Sequence, residues 1–349
     1  MLVNSESQSI SAKTTERDQP TVKACVNCGH ASFIHLFDSY DFDSGKKHFS
    51  LEKCSNCQLT RTSPVLNETE LATYYDVDYY GSSTKKFNSL IEAWTIWSNN
   101  RLAKKILSAA SANVRRSEEP VRVLDIGCGR ANLLKAFKRN DCQCFGVERS
   151  DFPEDAELEG ITIYKQNLLD IEFEKNSFDI VVIWHVLEHL TDPASTLKKV
   201  GKILKPDGKL IVAVPNFGGL QSRLFSKHWF HLDLPRHTYH FTQQSLQSIA
   251  NNAGLAVTKT TTQSFDQGVY GFLQSFINKL VINKPNTLYS ILKKTRHRPK
   301  SGTVASQYLL ASLLLPFAIL EFVITGSINK GACLIIQAER KKPSTKTTP

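Results

Sequence analysis

Between Gln267 and Leu320 the sequence has no aspartate or glutamate. The same stretch holds Lys279, Lys284, Lys293, Lys294, Arg296, Arg298 and Lys300, a local charge of +7. Residues 340–349 add +4 through Arg340, Lys341, Lys342 and Lys346, so that of the formal +10 the rest of the chain carries about −1. A body this close to neutral lacks the spread basic face of a nucleic-acid enzyme, which argues against nucleic acid as a partner. A local basic patch is better suited to an anionic membrane surface or a phosphate-bearing substrate. Residues 1–20 (MLVNSESQSISAKTTERDQP) have no apolar stretch of the kind a signal peptide needs and read as a disordered tail. The long apolar run Tyr308–Thr325 is interrupted by Pro316 and Glu321 and falls short of an unbroken membrane span.

Against these absences stands a hydrophobic content of 41%, enough for a sizeable core, in a chain of 349 residues long enough for more than one unit. Cys25-Val-Asn-Cys28 and Cys54-Ser-Asn-Cys57 form two CxxC knuckles. Each supplies two sulfurs, and together they can surround one tetrahedral ion. No ligand position is left open, so a structural Zn2+ bound by Cys25, Cys28, Cys54 and Cys57 is expected. The other four cysteines lie in apolar or strand-like contexts, and free thiols beside a metal site point to the cytoplasm.

Val121–Ile126 reads as a buried strand that ends in the turn Gly127-Cys-Gly129, with a helix following from Ala131. The third glycine of the dinucleotide fingerprint is missing, because Asn132 follows. Asp125 sits just before the first glycine, an awkward place for a pyrophosphate but a suitable one for a ligand with a positive charge. The next strand, Cys142–Val147, ends at Glu148, which is placed to accept hydrogen bonds from two ribose hydroxyls. Further strands are expected at Ile161–Tyr164, Phe178–Ile183, Lys209–Val214, Leu255–Thr262 and Gly331–Arg340. This alternation predicts an α/β fold, a Rossmann-like doubly wound seven-stranded sheet. A zinc-ribbon-like module precedes the sheet and a helical insertion precedes its last strand.

VLDIGCG (123–129), FDIVVIWHVLEHL (178–190) and LKPDGKLIVAVPN (204–216) resemble motifs of class I S-adenosylmethionine-dependent methyltransferases. The subgroup is similar to ubiquinone-biosynthesis O-methyltransferases, and chains with a four-cysteine N-terminal module resemble sugar methyltransferases. The resemblance implies S-adenosylmethionine as cofactor. Asp125, Gly127, Gly129, Glu148, Asn167, Leu168 and His185 are then its expected contacts, and Tyr80, in the segment Tyr79–Gly81, closes over it. No second Rossmann-like domain is evident at the C-terminus, unlike in the sugar enzymes. The expected organisation is a tail at 1–20, a zinc-binding module at 21–64, a helical linker at 65–118, the methyltransferase domain at 119–342 with an insertion at 268–330, and a tail at 343–349.

Two histidine clusters compete for the chemistry. His185, Glu188 and His189 follow the fourth strand at spacings that put all three on one face of a helix. His228, His231, His237 and His240 fall within thirteen residues, overlapping WxxxDLPRHxxHF (229–241), which resembles a segment recurring in the same subgroup. A base is needed only for a hydroxyl or acidic C–H acceptor, and imidazole suits that role. His237 is the preferred base, with His185 and His189 as the other candidates. The insertion reads as a lid, a monotopic membrane contact or a dimer interface. The expected function is methyl transfer to oxygen or carbon of a small-molecule or lipid-linked acceptor. The rivals are methylation of a nucleotide-activated sugar and a non-catalytic scaffold that keeps the cofactor fold. The sequence does not set the oligomeric state.

Overall fold

The computed structural model describes residues 24–42, 47–75, 89–109, 119–149, 158–281, 285–293 and 301–342. After the first cysteine pair the chain makes three antiparallel strands, β1 (Phe33–Tyr40), β2 (His48–Cys54) and β3 (Thr60–Ser63). Helix α1 (Glu68–Ala72) starts with a capping box, in which the Asn67 side chain accepts from Glu70 N–H and Glu70 accepts from Asn67 N–H. Helix α2 (Ser89–Ala109) runs to the large sheet. Its apolar stripe is buried only in the second half, at Ala103 and Ile106, while Trp94 and Trp97 remain 43% and 48% exposed.

The large sheet contains β4 (Arg122–Ile126), β5 (Gln143–Val147), β6 (Ile161–Tyr164), β7 (Phe178–Trp184), β8 (Leu204–Pro215), β10 (Leu255–Thr261) and β11 (Cys333–Arg340), in the order β10-β11-β8-β7-β4-β5-β6. β4 to β8 pair in parallel, and β11 runs antiparallel to both of its neighbours. Strands covered on both faces read as unbroken apolar runs, and Val181, Val182 and Ile183 of β7 are fully buried. Flanking helices include α3 (Asn132–Lys138), α4 (Pro193–Ile203), α5 (Leu220–Phe225) and α6 (Gln243–Asn252), the last opened by a Thr242–Ser245 capping box. The strand order reverses between β4 and β7, which opens a crevice at their carboxyl ends.

The cysteine module is built into this body. The two-residue strand β9 (Tyr239–His240) joins the edge of β3, with Thr60 opposite His240 and Arg61 opposite Tyr239. Between β10 and β11 the chain forms α7 (Phe265–Leu280), α8 (Thr287–Leu292) and α9 (Ser301–Ser327). α9 continues through Pro316 and packs against α7. Of the cations noted in the acid-free stretch, Lys284, Lys294, Arg296, Arg298 and Lys300 lie outside the described residues, as do Tyr80 and Lys346.

Candidate functional site

The crevice is organised by the turn after β4. Gly127 and Gly129 both take positive φ, 72° and 50°. At Gly127 a Cβ would come within 2.4 Å of a Val186 methyl, so no other residue fits there. At Gly129 no atom lies within 4 Å of the Cβ position, and that side of the turn is open to a ligand. Glu148 reaches back from the end of β5, accepting Gly129 N–H at 2.9 Å and Arg149 N–H at 2.8 Å. Asp125 is only 4% exposed. Burial, helped by the charge of Glu148, pushes its carboxyl up to about 8. Two acids converging on a glycine turn fit a ligand that carries positive charge and hydroxyl donors.

Asn167 and Leu168 lie on the loop after β6. The Asn167 oxygen caps a short helical turn at Leu169 N–H, its amide reaches Glu68 Oε1 at 3.3 Å, and Leu168 is buried. Glu68 also pairs with Arg149 at 3.0 Å and accepts from Thr191 at 3.3 Å. Helix α1 thereby ties the loops after β5 and β6 and the residues after β7 into one wall. Sequence reasoning missed this, because the partners stand 81–123 positions apart and no spacing rule connects them.

The residues after β7 do not continue as an α-helix. His185 takes φ 55°, and Leu187–His189 is a single 3-10 turn. A non-glycine residue at positive φ right after a buried strand is local strain of the sort found at functional sites. The cluster foreseen on a helix face still assembles, by a sharper turn. His185 Nδ1 lies 3.5 Å from Glu188 Oε1, and His185 Nε2 lies 3.8 Å from Cys333 Sγ. Glu188 is 1% exposed, and burial opposes its charge. Contact with His185, together with the fields of His189 and His237, still holds its carboxyl below the ordinary value.

The second histidine segment closes over the first, so the two clusters form one site. His189 and His237 stack edge to face with ring centroids 4.5 Å apart. His237 Nδ1 sits 2.9 Å from His231 O. Burial, with the charge of His189, pushes the ring down to about 4, so it is neutral at physiological pH. His189 Nδ1 lies 3.1 Å from Arg236 O and 3.0 Å from Tyr75 Oη, a contact that the tyrosine-rich sequence gave no reason to expect. Asp233 accepts from Arg236 Nε at 3.1 Å, and this guanidinium outweighs burial to hold its carboxyl well below the usual range. The other three histidines of the segment differ in role. His231 packs against α7, with Nε2 3.0 Å from Gln267 O, His240 Nε2 lies 3.0 Å from the Thr62 hydroxyl, and His228 ends the short 3-10 turn Ser226–His228 ahead of the cluster.

Two braces hold this segment. On one side Thr62 of β3 donates its hydroxyl to His237 O at 2.6 Å and its N–H to Thr238 O at 3.0 Å. On the other, α7 accepts Phe230 N–H on Ser275 Oγ at 2.8 Å. The four cysteines lie beyond the first brace. Cys25 and Cys57 sulfurs stand 3.5 Å apart, and Cys28 and Cys54 sulfurs 3.6 Å apart. Tetrahedral thiolates about 2.3 Å from one ion lie roughly 3.8 Å apart. The spacing therefore fits a shared ion and is far too long for a disulfide.

Strand order, acid–glycine turn and crevice are those of the Rossmann-like fold of class I methyltransferases. Residues 96–260 match the family model described as a methyltransferase domain. More particularly, the chain resembles ubiquinone biosynthesis O-methyltransferases. It is 28% identical over 148 residues to that of Hahella chejuensis, covering 39% of this chain and 61% of the relative. It is 32% identical over 108 residues to that of Actinobacillus pleuropneumoniae serotype 7, covering 27% and 46%. The chain thus spans about half the length of these relatives. Among solved structures, a putative sarcosine dimethylglycine methyltransferase from Galdieria sulphuraria covers 78% of this chain and 98% of its own, at 14% identity and a TM-score of 0.47.

Proposed function

We propose that the chain transfers a methyl group from S-adenosylmethionine to oxygen or carbon of a small-molecule or lipid-linked acceptor. The observation that carries this reading is the acid pair at the glycine turn, buried Asp125 and half-buried Glu148, with Val186, from the turn that bears His185 and Glu188, packed over Gly127. When bound, S-adenosylmethionine supplies an activated methyl on a sulfonium. The chain's part is to hold the cofactor and orient the acceptor, and positioning alone accounts for much of the acceleration. Asp125 faces positive charge, Glu148 takes the ribose hydroxyls, and Gly127 and Gly129 let backbone approach. Asn167, Leu168 and His185 complete the cradle. A hydroxyl acceptor gives its proton to the cluster of His185, His189 and His237. Calorimetric titration with S-adenosylmethionine, followed by transfer of labelled methyl to extracted lipids and quinol precursors, tests this. Well-folded protein that binds no cofactor would overturn it.

The pH dependence of binding has a definite sign. Asp125 is held protonated up to about pH 8 by burial, and a cationic ligand favours its carboxylate. Binding near pH 7 is therefore expected to release a proton, and affinity should rise from pH 6 to pH 8 before levelling. Titrations in buffers of different ionisation enthalpy read the release directly. Uptake of a proton, or a flat affinity, would contradict this role for Asp125.

We assign Zn2+ to Cys25, Cys28, Cys54 and Cys57 as a structural ion, and peripheral membrane contact to α9, with the body in the cytoplasm. The helix is inside out. Its polar residues Gln307, Glu321 and Thr325 are 4%, 8% and 1% exposed and face the body, where Gln221 donates to Glu321 at 3.0 Å. Its Leu309, Leu313, Phe317 and Leu320 are 56–63% exposed. The most apolar 18-residue stretch of this helix has a mean hydropathy of 2.1. Trp97, Trp94, Phe265 and Phe322 continue the patch as a chain of neighbouring rings, each 4.8–6.0 Å from the next. Both feet of the insertion return to the same sheet, which suits a helix lying in the membrane surface. A large Leu or Phe contributes about 1.5–3 kcal/mol on full burial. The double variant Leu313→Asp/Phe317→Asp is expected to lose vesicle binding by about tenfold or more, measured by co-sedimentation with anionic liposomes. Unchanged sedimentation would exclude this face.

A further inference from the structure

A cavity of about 290 Å3 lies between the cysteine module and the catalytic body, on the side of β3 and β9 away from the histidines. Side chains alternate across a strand pair, and this pair sorts them by face. Thr62 and His240 meet on the histidine face, with Thr62 Oγ1 3.0 Å from His240 Nε2. Arg61 and Tyr239, opposite each other in the ladder, take the other face and line the cavity. Val26, Phe33, Leu59, Val65 and Leu66 supply its apolar walls, and Glu68 and Thr191 supply polar edges.

Protein interiors leave few voids larger than a water molecule, so a space of this size has to be held open. Arg61 is kept against the wall, its guanidinium 3.5 Å from the centre of the Phe33 ring and tied to Glu52 at 2.9 Å. Glu68 is engaged by Arg149 at 3.0 Å and by Asn167 and Thr191, both at 3.3 Å.

We infer that this cavity is a second ligand site, separate from the methyl-transfer crevice, for a small apolar alcohol. The lining sets that class. Arg61 and Glu68 already have counter-ions in Glu52 and Arg149, so a charged ligand would be buried here without a partner of its own. Two acceptors stand in the lining residues, the Glu68 carboxylate and Thr191 O, and Tyr239 Oη reaches the latter only at 3.4 Å. A hydroxyl is a neutral donor that answers them. The volume is at the lower limit of small-molecule sites, roughly 300 Å3, which suits one ring with a short chain.

A ligand here reaches both sides of the crevice at once. Arg61 and Tyr239 flank Thr62 and Thr238, whose backbone pairing fixes the segment of His237, while Glu68 ties the loops after β5 and β6. Packing against all of them stiffens the brace of the histidine segment without contact to cofactor or acceptor.

The test is calorimetric titration of the whole zinc-loaded chain with 3-phenyl-1-propanol, beside its methyl ether, which keeps the body and loses the hydroxyl proton. One equivalent of the alcohol is expected, and the ether should bind about fivefold more weakly. Val65→Trp fills the cavity with an indole and should weaken the alcohol by about tenfold or more. Val65→Phe, a smaller filling, should fall between the two and serves if the larger side chain unfolds the module. Saturation with the alcohol should slow exchange of the Thr62 amide, donated to Thr238 O at 3.0 Å, by about threefold or more. Wild-type protein that takes up no alcohol would overturn the site. Equal uptake by well-folded Val65→Trp and Val65→Phe would also overturn it, and would put the alcohol on the exposed face of α9. Binding with an unchanged Thr62 amide would overturn the link to the histidine segment. S-adenosylmethionine affinity on the same samples tests the methyl-transfer reading separately, because the two sites lie on opposite faces of the β3–β9 pair.

Discussion

Glu148→Ala is expected to weaken S-adenosylmethionine binding by about 100-fold or more. Hydrogen bonds to a charged acceptor are worth about 1.5–3 kcal/mol each, and the carboxylate is placed to receive two hydroxyls. The residue already faces the glycine turn, accepting Gly129 N–H at 2.9 Å, so it needs no rearrangement to meet a ligand there. Because that contact also shapes the free turn, Glu148→Gln serves as the companion variant. It retains an acceptor, and its loss should be the smaller of the two. Calorimetry with both S-adenosylmethionine and S-adenosylhomocysteine, beside thermal melts, separates lost recognition from lost fold. Wild-type affinity in Glu148→Ala would show that the ligand sits elsewhere and would bring forward a scaffold that only inherits the fold.

Cys54→Ser should have the other large effect, and in a different place. Cys54 is fully buried, and its sulfur faces Cys28 at 3.6 Å. Structural zinc contributes apparent binding energy of about 10 kcal/mol or more, on which a module this small depends. Loss of the ion would loosen β2 and β3, and β3 is the strand that holds His237 and Thr238 by their backbones. Methyl transfer should therefore fall by about 100-fold or more, while cofactor affinity stays within about threefold, because the acid–glycine turn is built on β4 and β5. Zinc content, turnover and calorimetry on one preparation check all three. Equal loss of cofactor affinity and turnover would mean that the module supports the whole domain rather than the acceptor side.

The parts of this fold that the sequence revealed are those whose burial is uniform. FDIVVIW is covered on both faces, so its apolar run could only be an interior strand. The glycine turn was legible because Gly127 has no substitute next to Val186. The histidines were legible as crowded residues but not as one site. Their meeting depends on the positive φ of His185 and on β9, a strand of two residues whose partner Thr60 lies 180 positions away. No periodicity announces such a pairing. α9 shows a related blindness. Its hydropathy was plain, but a sequence does not say that Gln307, Glu321 and Thr325 turn inward while the leucines face out. The stripe on α2 misled for the same reason, since Trp94 and Trp97 have the spacing of core residues and stand in the open.

The position of β11 has a consequence for how the chain is made. β11 lies between β10 and β8, so β10 has no neighbour in the sheet until β11 arrives, and the exposed edge of β8 waits with it. α9 precedes β11 along the chain. At ribosomal rates of about 5–20 residues per second, the apolar helix is finished on the order of a second before the strand that completes the sheet. For that interval a bare greasy helix and an unpaired strand edge coexist, the combination most prone to aggregation. A bilayer close to the ribosome would shelter the helix at its moment of greatest exposure, so membranes present during synthesis are expected to raise the yield of folded protein.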